Sequence, residues 1–356
     1  MAKKLMKGSE AIAEAAIRSG CRYFFGYPIT PQTEIPEYLS WRMLDEAVNG
    51  CFLQAESEIA AINMVYGAAA TGVRAMTSSS GPGISLMQEG ISTLCAAELP
   101  CLIVNVMRGG PGIGSIQAGQ GDYFQAVKGG GHGDYHMITL APSTVQEAVD
   151  CIGLAFPLAE RWRMPVMLCA DGIIAQMMEP VELPEMSEYA VSASEKPWAA
   201  TGARAGQRAN ISSLYVETSQ LSELNDRLQN RYGQICDTEC RWEAYNMDGA
   251  EIVVTAFGTV ARIAKSAIDT LTEEGIPVGL LRPITLWPFP YAAVHEAATR
   301  QGVRGVLDVE MNAGQMLEDV KLAVNGAQPV EFFGHCGSRL PTVEEIRCEI
   351  LRMREA

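Results

Sequence analysis

A pair of carboxylates, a proline-flanked threonine and an arginine facing a run of glycines are the residues whose types and spacing allow chemistry. Glu56 and Glu58 lead into "IAAINMVYGAAATG", a segment of Ala, Gly and aliphatic residues suited to burial. Side chains two positions apart on a helix point about 200° away from each other, so at most one glutamate shares the buried face. Either could merely favour a helix N-terminus through the dipole. An inward Glu58 is different, because burial raises a carboxyl pKa unless a partner compensates, and working carboxylates are commonly made this way. The small residues Ala60, Ala61 and 67–70 would let a bulky ring or another backbone approach closely.

In "GYPITPQTEIP", Pro28 and Pro31 flank Ile29 and Thr30. The two prolines stiffen the turn, so it either presents backbone groups and the Thr30 hydroxyl rigidly or is an ordinary proline turn. Arg108 opens "RGGPGIGSIQAGQGDYFQAVKGGGHGDYH" directly after an apolar run, where a guanidinium fork suits a carboxylate and the glycines permit a lid or close packing on a ligand. "TSSSGPGIS" at 77–85 places a glycine turn before a helix, and its backbone N–H groups could hold an anion or simply start the helix.

These loops need elements to hold them. The runs "RYFFGY", "CFLQA", "RAMTSS", "CLIVNVM", "HMITLA" and "PVMLCA" are short, apolar and without clean polar alternation, as strands buried on both faces of a parallel sheet are. Helical patterns separate them, which makes residues 1–175 an α/β domain whose ligands belong beyond the strands' carboxyl ends. Residues 176–248 are richer in polar residues and read as a linker with one amphipathic helix in "SSLYVETSQLSELNDRLQNRY". A second α/β rhythm occupies 249–356, from "EIVVTAFG" through "IPVGLLRP" to "VRGVLDVE".

Composition narrows the functions. A net charge of -15 repels polyanions, so nucleic acid is not an expected partner. No uncharged apolar run reaches the roughly 18–20 residues of a membrane-spanning helix, and charges interrupt the first twenty residues where a signal peptide needs an apolar core, so a cytoplasmic protein is expected. The ten cysteines mostly sit in apolar stretches and read as small core residues. "CDTEC" (Cys236, Cys240) is a lone CxxxC, weak as a metal signal because zinc and iron-sulfur sites need about four ligands. His132 and His136 lack metal-ligand company. GxxxxGK[ST], a correctly spaced GxGxxG and GxSxG are all missing, against nucleotide-binding and hydrolase readings.

Taken together, "KGSEAIAEAAIRSGC", "FGYPITPQTEIPEY", "LQAESEIAAINMVYGAAATG", "TSSSGPGISLMQEG", "RGGPGIGSIQAGQGDYFQA", "GGGHGDY", "GLLRPITLWPFP" and "EMNAGQM" resemble the alpha subunit of multi-subunit 2-oxoacid:ferredoxin oxidoreductases nearly end to end. The resemblance is strongest to the 2-oxoisovalerate (3-methyl-2-oxobutanoate) type, while the 2-oxoglutarate type shares most motifs. It implies a thiamine-pyrimidine-binding parallel-sheet domain followed by a smaller, transketolase C-terminal-like α/β domain. It implies that Glu58 hydrogen-bonds N1′ of the thiamine diphosphate aminopyrimidine, favouring the imino tautomer that makes the ylid. It further implies that Thr30 and Arg108 bind the 2-oxoacid and that Pro28 and Ile29 lie near the pyrimidine. The family's GDG...N signature for diphosphate and Mg²⁺ is missing, "ADG" at 170–172 lacking its first glycine, as are iron-sulfur ligand runs. A beta subunit is then expected to hold the diphosphate and Mg²⁺, and a ferredoxin-like gamma or delta subunit the [4Fe-4S] clusters. The implied reaction is CoA-dependent oxidative decarboxylation to acyl-CoA and CO₂ with electrons to ferredoxin, in a complex whose protomers self-associate. A nicotinamide oxidoreductase and a non-catalytic thiamine-binding homologue are the competing readings.

Overall fold

A computed structural model describes residues 3–187, 196–202 and 209–355. The chain opens with β1 (Lys4–Lys7) and α1 (Gly8–Arg18), then alternates β2 (Tyr23–Gly26), α2 (Glu34–Arg42), β3 (Cys51–Gln54), α3 (Glu58–Ala70), β4 (Ala75–Ser79), α4 (Pro82–Ala96) and β5 (Cys101–Met107). It continues through the short α5 (Tyr123–Val127), β6 (Ile138–Leu140), α6 (Val145–Trp162), β7 (Pro165–Asp171), α7 (Gly172–Gln176) and β8 (Met178–Val181). All six apolar runs read as strands are strands of one sheet. Its order is β6-β7-β5-β4-β2-β3, all parallel, and every residue of β4, β5 and β7 is buried. That explains their lack of alternation: helices cover both faces, so neither face needs polar residues. The ribbon β1–β8 pairs antiparallel and was not evident as strands in the sequence.

Beyond residue 209 come α8 (Thr218–Thr238), β9 (Trp242–Tyr245), β10 (Ile252–Thr255), α9 (Gly258–Glu273), β11 (Val278–Pro283), β12 (Thr285–Trp287), α10 (Tyr291–Thr299), β13 (Gly305–Glu310), α11 (Met316–Val324), β14 (Val330–Gly334) and α12 (Val343–Glu355). The second sheet has the order β14-β13-β10-β11-β9 and is parallel except for β9. The stretch read as a linker does more than connect. Leu224, Leu228, Tyr232 and Ile235, at helical spacing on α8, join the core beneath the first sheet, and β9 adds an edge to the second. β12 crosses back to pair antiparallel with β6, extending the first sheet. β12 follows directly on β11 and pairs with a strand far back in the chain, so the sequence offers no separate strand signal there.

Polar contacts also bind the two sheets' units. Asp171, at the end of β7, accepts from Thr259 N–H at 2.7 Å and from Thr259 Oγ1 at 2.6 Å, at the start of α9. Arg282 on β11 holds Glu147 of α6 with both terminal nitrogens, at 2.5 and 3.0 Å. Tyr123 donates to Asp319 at 2.7 Å. Among the described residues no helix is long and apolar enough to cross a membrane.

Candidate active site

The carboxyl ends of β2, β3, β4 and β5 converge on one rim, and the sequence-marked residues lie there. Ser57 caps α3, its hydroxyl accepting from Ala60 N–H at 3.2 Å, so neither glutamate is needed as the cap. Glu58 is therefore the first helical residue. It is 5% exposed, whereas Glu56 faces solvent. Among the described residues nothing hydrogen-bonds the Glu58 carboxylate. It lies against α4 at Gly83, where an added Cβ would sit 2.1 Å from Ser79 Oγ and 2.6 Å from Glu58 Oε1. Only a residue without a side chain permits that approach, so Gly83 lets the Glu58 carboxylate and the Ser79 hydroxyl pack directly against the start of α4.

Thr30 is exposed, with Pro28 and Ile29 half-buried beside it. Its loop is tied down from below by Gln32, which is fully buried. The Gln32 amide donates to Tyr27 O at 3.0 Å and accepts from Ser78 Oγ at 2.6 Å. Arg108 joins this loop to the glycine-rich one, donating from Nη1 to Thr30 O and from Nη2 to Ile113 O, each at 2.7 Å. Its Nε is buried without a partner. Gly81, at φ +46°, lets the guanidinium pass: a Cβ there would lie 3.2 Å from Arg108 Nε. Thus the structure brings Thr30 and Arg108 into direct contact, through the threonine carbonyl. Glu58 stands across Gly81 and Gly83 from them, at the start of the helix they open.

A cleft of about 350 Å³ adjoins Arg108, between the glycine-rich loop, Gly81, Ser85 and Asp122 on one side and Asn312, Gln315 and Cys336 on the other. Among the described residues Arg108 is the one cation lining it. A larger cleft, about 610 Å³, lies elsewhere and is lined by Lys128, Tyr291, Asp319, Cys236 and Cys240. It shares none of the marked site residues, so size does not locate the chemistry here. Cys236 is exposed and Cys240 half-buried; five of the ten cysteines are buried and Cys336 and Cys348 are exposed, so the core reading covers only half of them. His136 stacks on Trp287 at 4.7 Å, its basicity lowered by burial, and the His132 carbonyl accepts from Ser92.

Sequence reasoning overlooked the polar floor under Glu58. Thr77 and Ser79 on β4, Ser80, and Asn105 on β5 are all fully buried, and the Oγ1 of Thr77, the Oγ of Ser79 and Ser80 and the Oδ1 of Asn105 have no partner. An asparagine within "CLIVNVM" was the available signal, because an amide in an otherwise apolar buried strand costs free energy unless it is used. Gln32 gave no comparable cue.

Residues 14–225 match the family described as pyruvate flavodoxin/ferredoxin oxidoreductase, thiamine diphosphate-binding, and 250–346 match the pyruvate:ferredoxin oxidoreductase core domain II. The chain is 48% identical, over 97% of its length and 96% of the relative's, to the ketoisovalerate oxidoreductase subunit VorB of Methanothermobacter marburgensis. It belongs to the 2-oxoacid:ferredoxin oxidoreductase family. The 2-oxoglutarate synthase subunit KorA of Methanocaldococcus jannaschii is 37% identical over 99% of this chain and 100% of that one. Among solved structures, the 2-oxoglutarate:ferredoxin oxidoreductase from Magnetococcus marinus with 2-oxoglutarate, coenzyme A and succinyl-CoA bound superposes with a TM-score of 0.86 at 26% identity, covering 99% of this chain. This chain spans 65% of that longer one. The first unit is thus a thiamine diphosphate-binding α/β domain of an oxidoreductase subunit.

Proposed function

We propose that the chain is the alpha subunit of an oxidoreductase that converts 3-methyl-2-oxobutanoate and CoA to the acyl-CoA and CO₂, passing electrons to ferredoxin, and that it supplies the aminopyrimidine half of a thiamine diphosphate site. The observation that carries this is the buried Glu58 carboxylate, hydrogen-bonded by nothing among the described residues and set at the carboxyl ends of the strands, where a protonated ring nitrogen would satisfy it. Thiamine diphosphate, when bound, supplies the carbanion that attacks the 2-oxo carbon and the electron sink for loss of CO₂. The rest falls to side chains. Glu58 would hold the proton at the pyrimidine nitrogen N1′, with Pro28 and Ile29 along the ring. Arg108, its fork held by Thr30 O and Ile113 O at the edge of the cleft, would pair with the substrate carboxylate, with the Thr30 hydroxyl as a second contact.

Substrate class follows from charge. A second carboxylate, as in 2-oxoglutarate, needs a second cation, and among the described residues Arg108 is alone in lining that cleft with a positive charge. The exposed Ile113 and Ile116 on the glycine-rich loop suit an aliphatic side chain instead. Asp171 of "ADG" has its oxygens engaged by Thr259 and Ile174. This supports placing the diphosphate and Mg²⁺ on a beta subunit. From the family resemblance alone come the [4Fe-4S] clusters on a ferredoxin-like gamma or delta subunit and the self-associating cytoplasmic complex.

The test is anaerobic, CoA-dependent viologen reduction by the chain co-expressed with its neighbouring subunits, across 2-oxoisovalerate, 2-oxoglutarate, pyruvate and indolepyruvate. Preference for 2-oxoisovalerate is the expected outcome. Silence with all four, with thiamine bound and clusters intact, would refute it in favour of a non-catalytic homologue.

A further inference from the structure

The polar floor beneath Glu58 runs in a line. Ser79 on β4 and Asn105 on β5 are register partners in the parallel ladder, so their side chains share the face on which α3 and α4 pack. Ser79 Oγ abuts Gly83 beside Glu58 Oε1. Asn105 Nδ2 donates to Asp122 Oδ2 at 3.0 Å, and Asp122 lines the cleft at Arg108. Asp122 precedes α5 yet makes no capping bond with its side chain, so helix capping does not account for it. Ser79 Oγ and Asn105 Oδ1 are fully buried and have no hydrogen-bond partner among the described residues. Each such orphan costs about 1–3 kcal/mol unless water satisfies it.

We propose that Ser79, Asn105 and Asp122 hold a hydrated proton path between the Glu58 carboxylate and the cleft beside Arg108. The inference rests on the functional reading above and deepens it. In that reaction the carboxylate C–C bond and the thiol S–H bond break and a C–S bond forms. Two electrons leave to ferredoxin, and one proton is left over per turnover. In this proposal that proton leaves by way of the Glu58 carboxylate, whose Oε1 lies against Gly83 of α4. Asn105 does not relay; its carbonyl oxygen anchors water between the Ser79 hydroxyl and the Asp122 carboxylate. Burial shifts the Asp122 carboxyl above its ordinary value, against the lowering effect of the Asn105 hydrogen bond and of Arg108.

The experiment uses the complete complex, after the wild type has been shown to reduce viologen with a 2-oxoacid, so that a negative result bears on the path and not on the enzyme class. Its first readout is a crystal structure at a resolution that places waters: density is expected within hydrogen-bond distance of Ser79 Oγ and Asn105 Oδ1. The second is Asp122→Asn, expected to turn over about 10-fold more slowly with the KM for the 2-oxoacid unchanged, and to recover when formate, small enough to enter the cleft, is added. Ser79→Ala removes a hydroxyl with almost no change of shape and should slow turnover with an enlarged solvent isotope effect. A dry gap in the wild type, wild-type rates in both variants, or a slow Asp122→Asn enzyme that formate does not rescue would overturn the path.

Discussion

Substituting Gly83 with Ala separates folding from chemistry at this site. Gly83 is the second residue of α4 and has an ordinary helical backbone, so alanine should suit the helix by up to about 1 kcal/mol. The added methyl meets the Ser79 hydroxyl at 2.1 Å and the Glu58 carboxylate at 2.6 Å, both ends of side chains that rotate. Ser79 turns away cheaply, and the carboxylate must retreat by about 1 Å to restore contact distance. Stability should therefore change by no more than about 1 kcal/mol, the small relief of helix propensity set against a strained rotamer. A 1 Å displacement of a catalytic group costs on the order of 10² in rate, about 2.7 kcal/mol of barrier. Urea unfolding of the chain measures the first quantity and CoA-dependent viologen reduction by the complex the second. Turnover within twofold of wild type would refute the reasoning, since the reacting ring would then not depend on where Gly83 leaves Glu58.

Other outcomes follow from the same contacts. Glu58→Gln should lower turnover by on the order of 10² with unchanged urea unfolding, and comparable activity would remove Glu58 from the chemistry. Arg108→Ala should raise the KM for 2-oxoacids and also lower stability by about 2–4 kcal/mol, because Thr30 O and Ile113 O lose their donors; Arg108→Lys should restore neither fully, lacking the planar fork. Asp171→Ala should cost about 2–4 kcal/mol in urea unfolding by stranding the buried Thr259 N–H and hydroxyl, and an unchanged midpoint would show that this contact does not hold the two units together. Asp308, buried beside Glu310, has its carboxyl pushed well up by burial and by that like charge. Its folded pKa exceeds the unfolded value, so the folded chain binds the extra proton and stability from this group falls as pH rises from about 4 toward the folded pKa. Asp308→Asn should remove that fall, so its stability advantage over wild type should grow between pH 5 and 8 in urea melts; a pH-independent difference would contradict the assignment.

The six runs from "RYFFGY" to "PVMLCA" were readable as strands because parallel strands buried on both faces need continuous apolar sequence. β1, β8, β9 and β12 were not, each being three or four residues long and defined by its distant partner. Glu58, Thr30 and Arg108 became candidates for another reason: their odd local settings, a carboxylate before an Ala/Gly helix, a threonine between prolines and an arginine before glycines, are written in consecutive residues. What the sequence alone determined is thus the local part, namely strand identity, loop composition and the type of charge offered at each loop. Only the tertiary structure decided that Ser57 and not a glutamate caps α3, that Arg108 grips the Thr30 carbonyl 78 positions away, and that Asn105 reaches Asp122 across 17 positions. The physical reason is that capping, fork geometry and unsatisfied buried groups depend on which atoms lie within about 3 Å, and chain folding sets that distance between residues whose spacing along the sequence carries no trace of it.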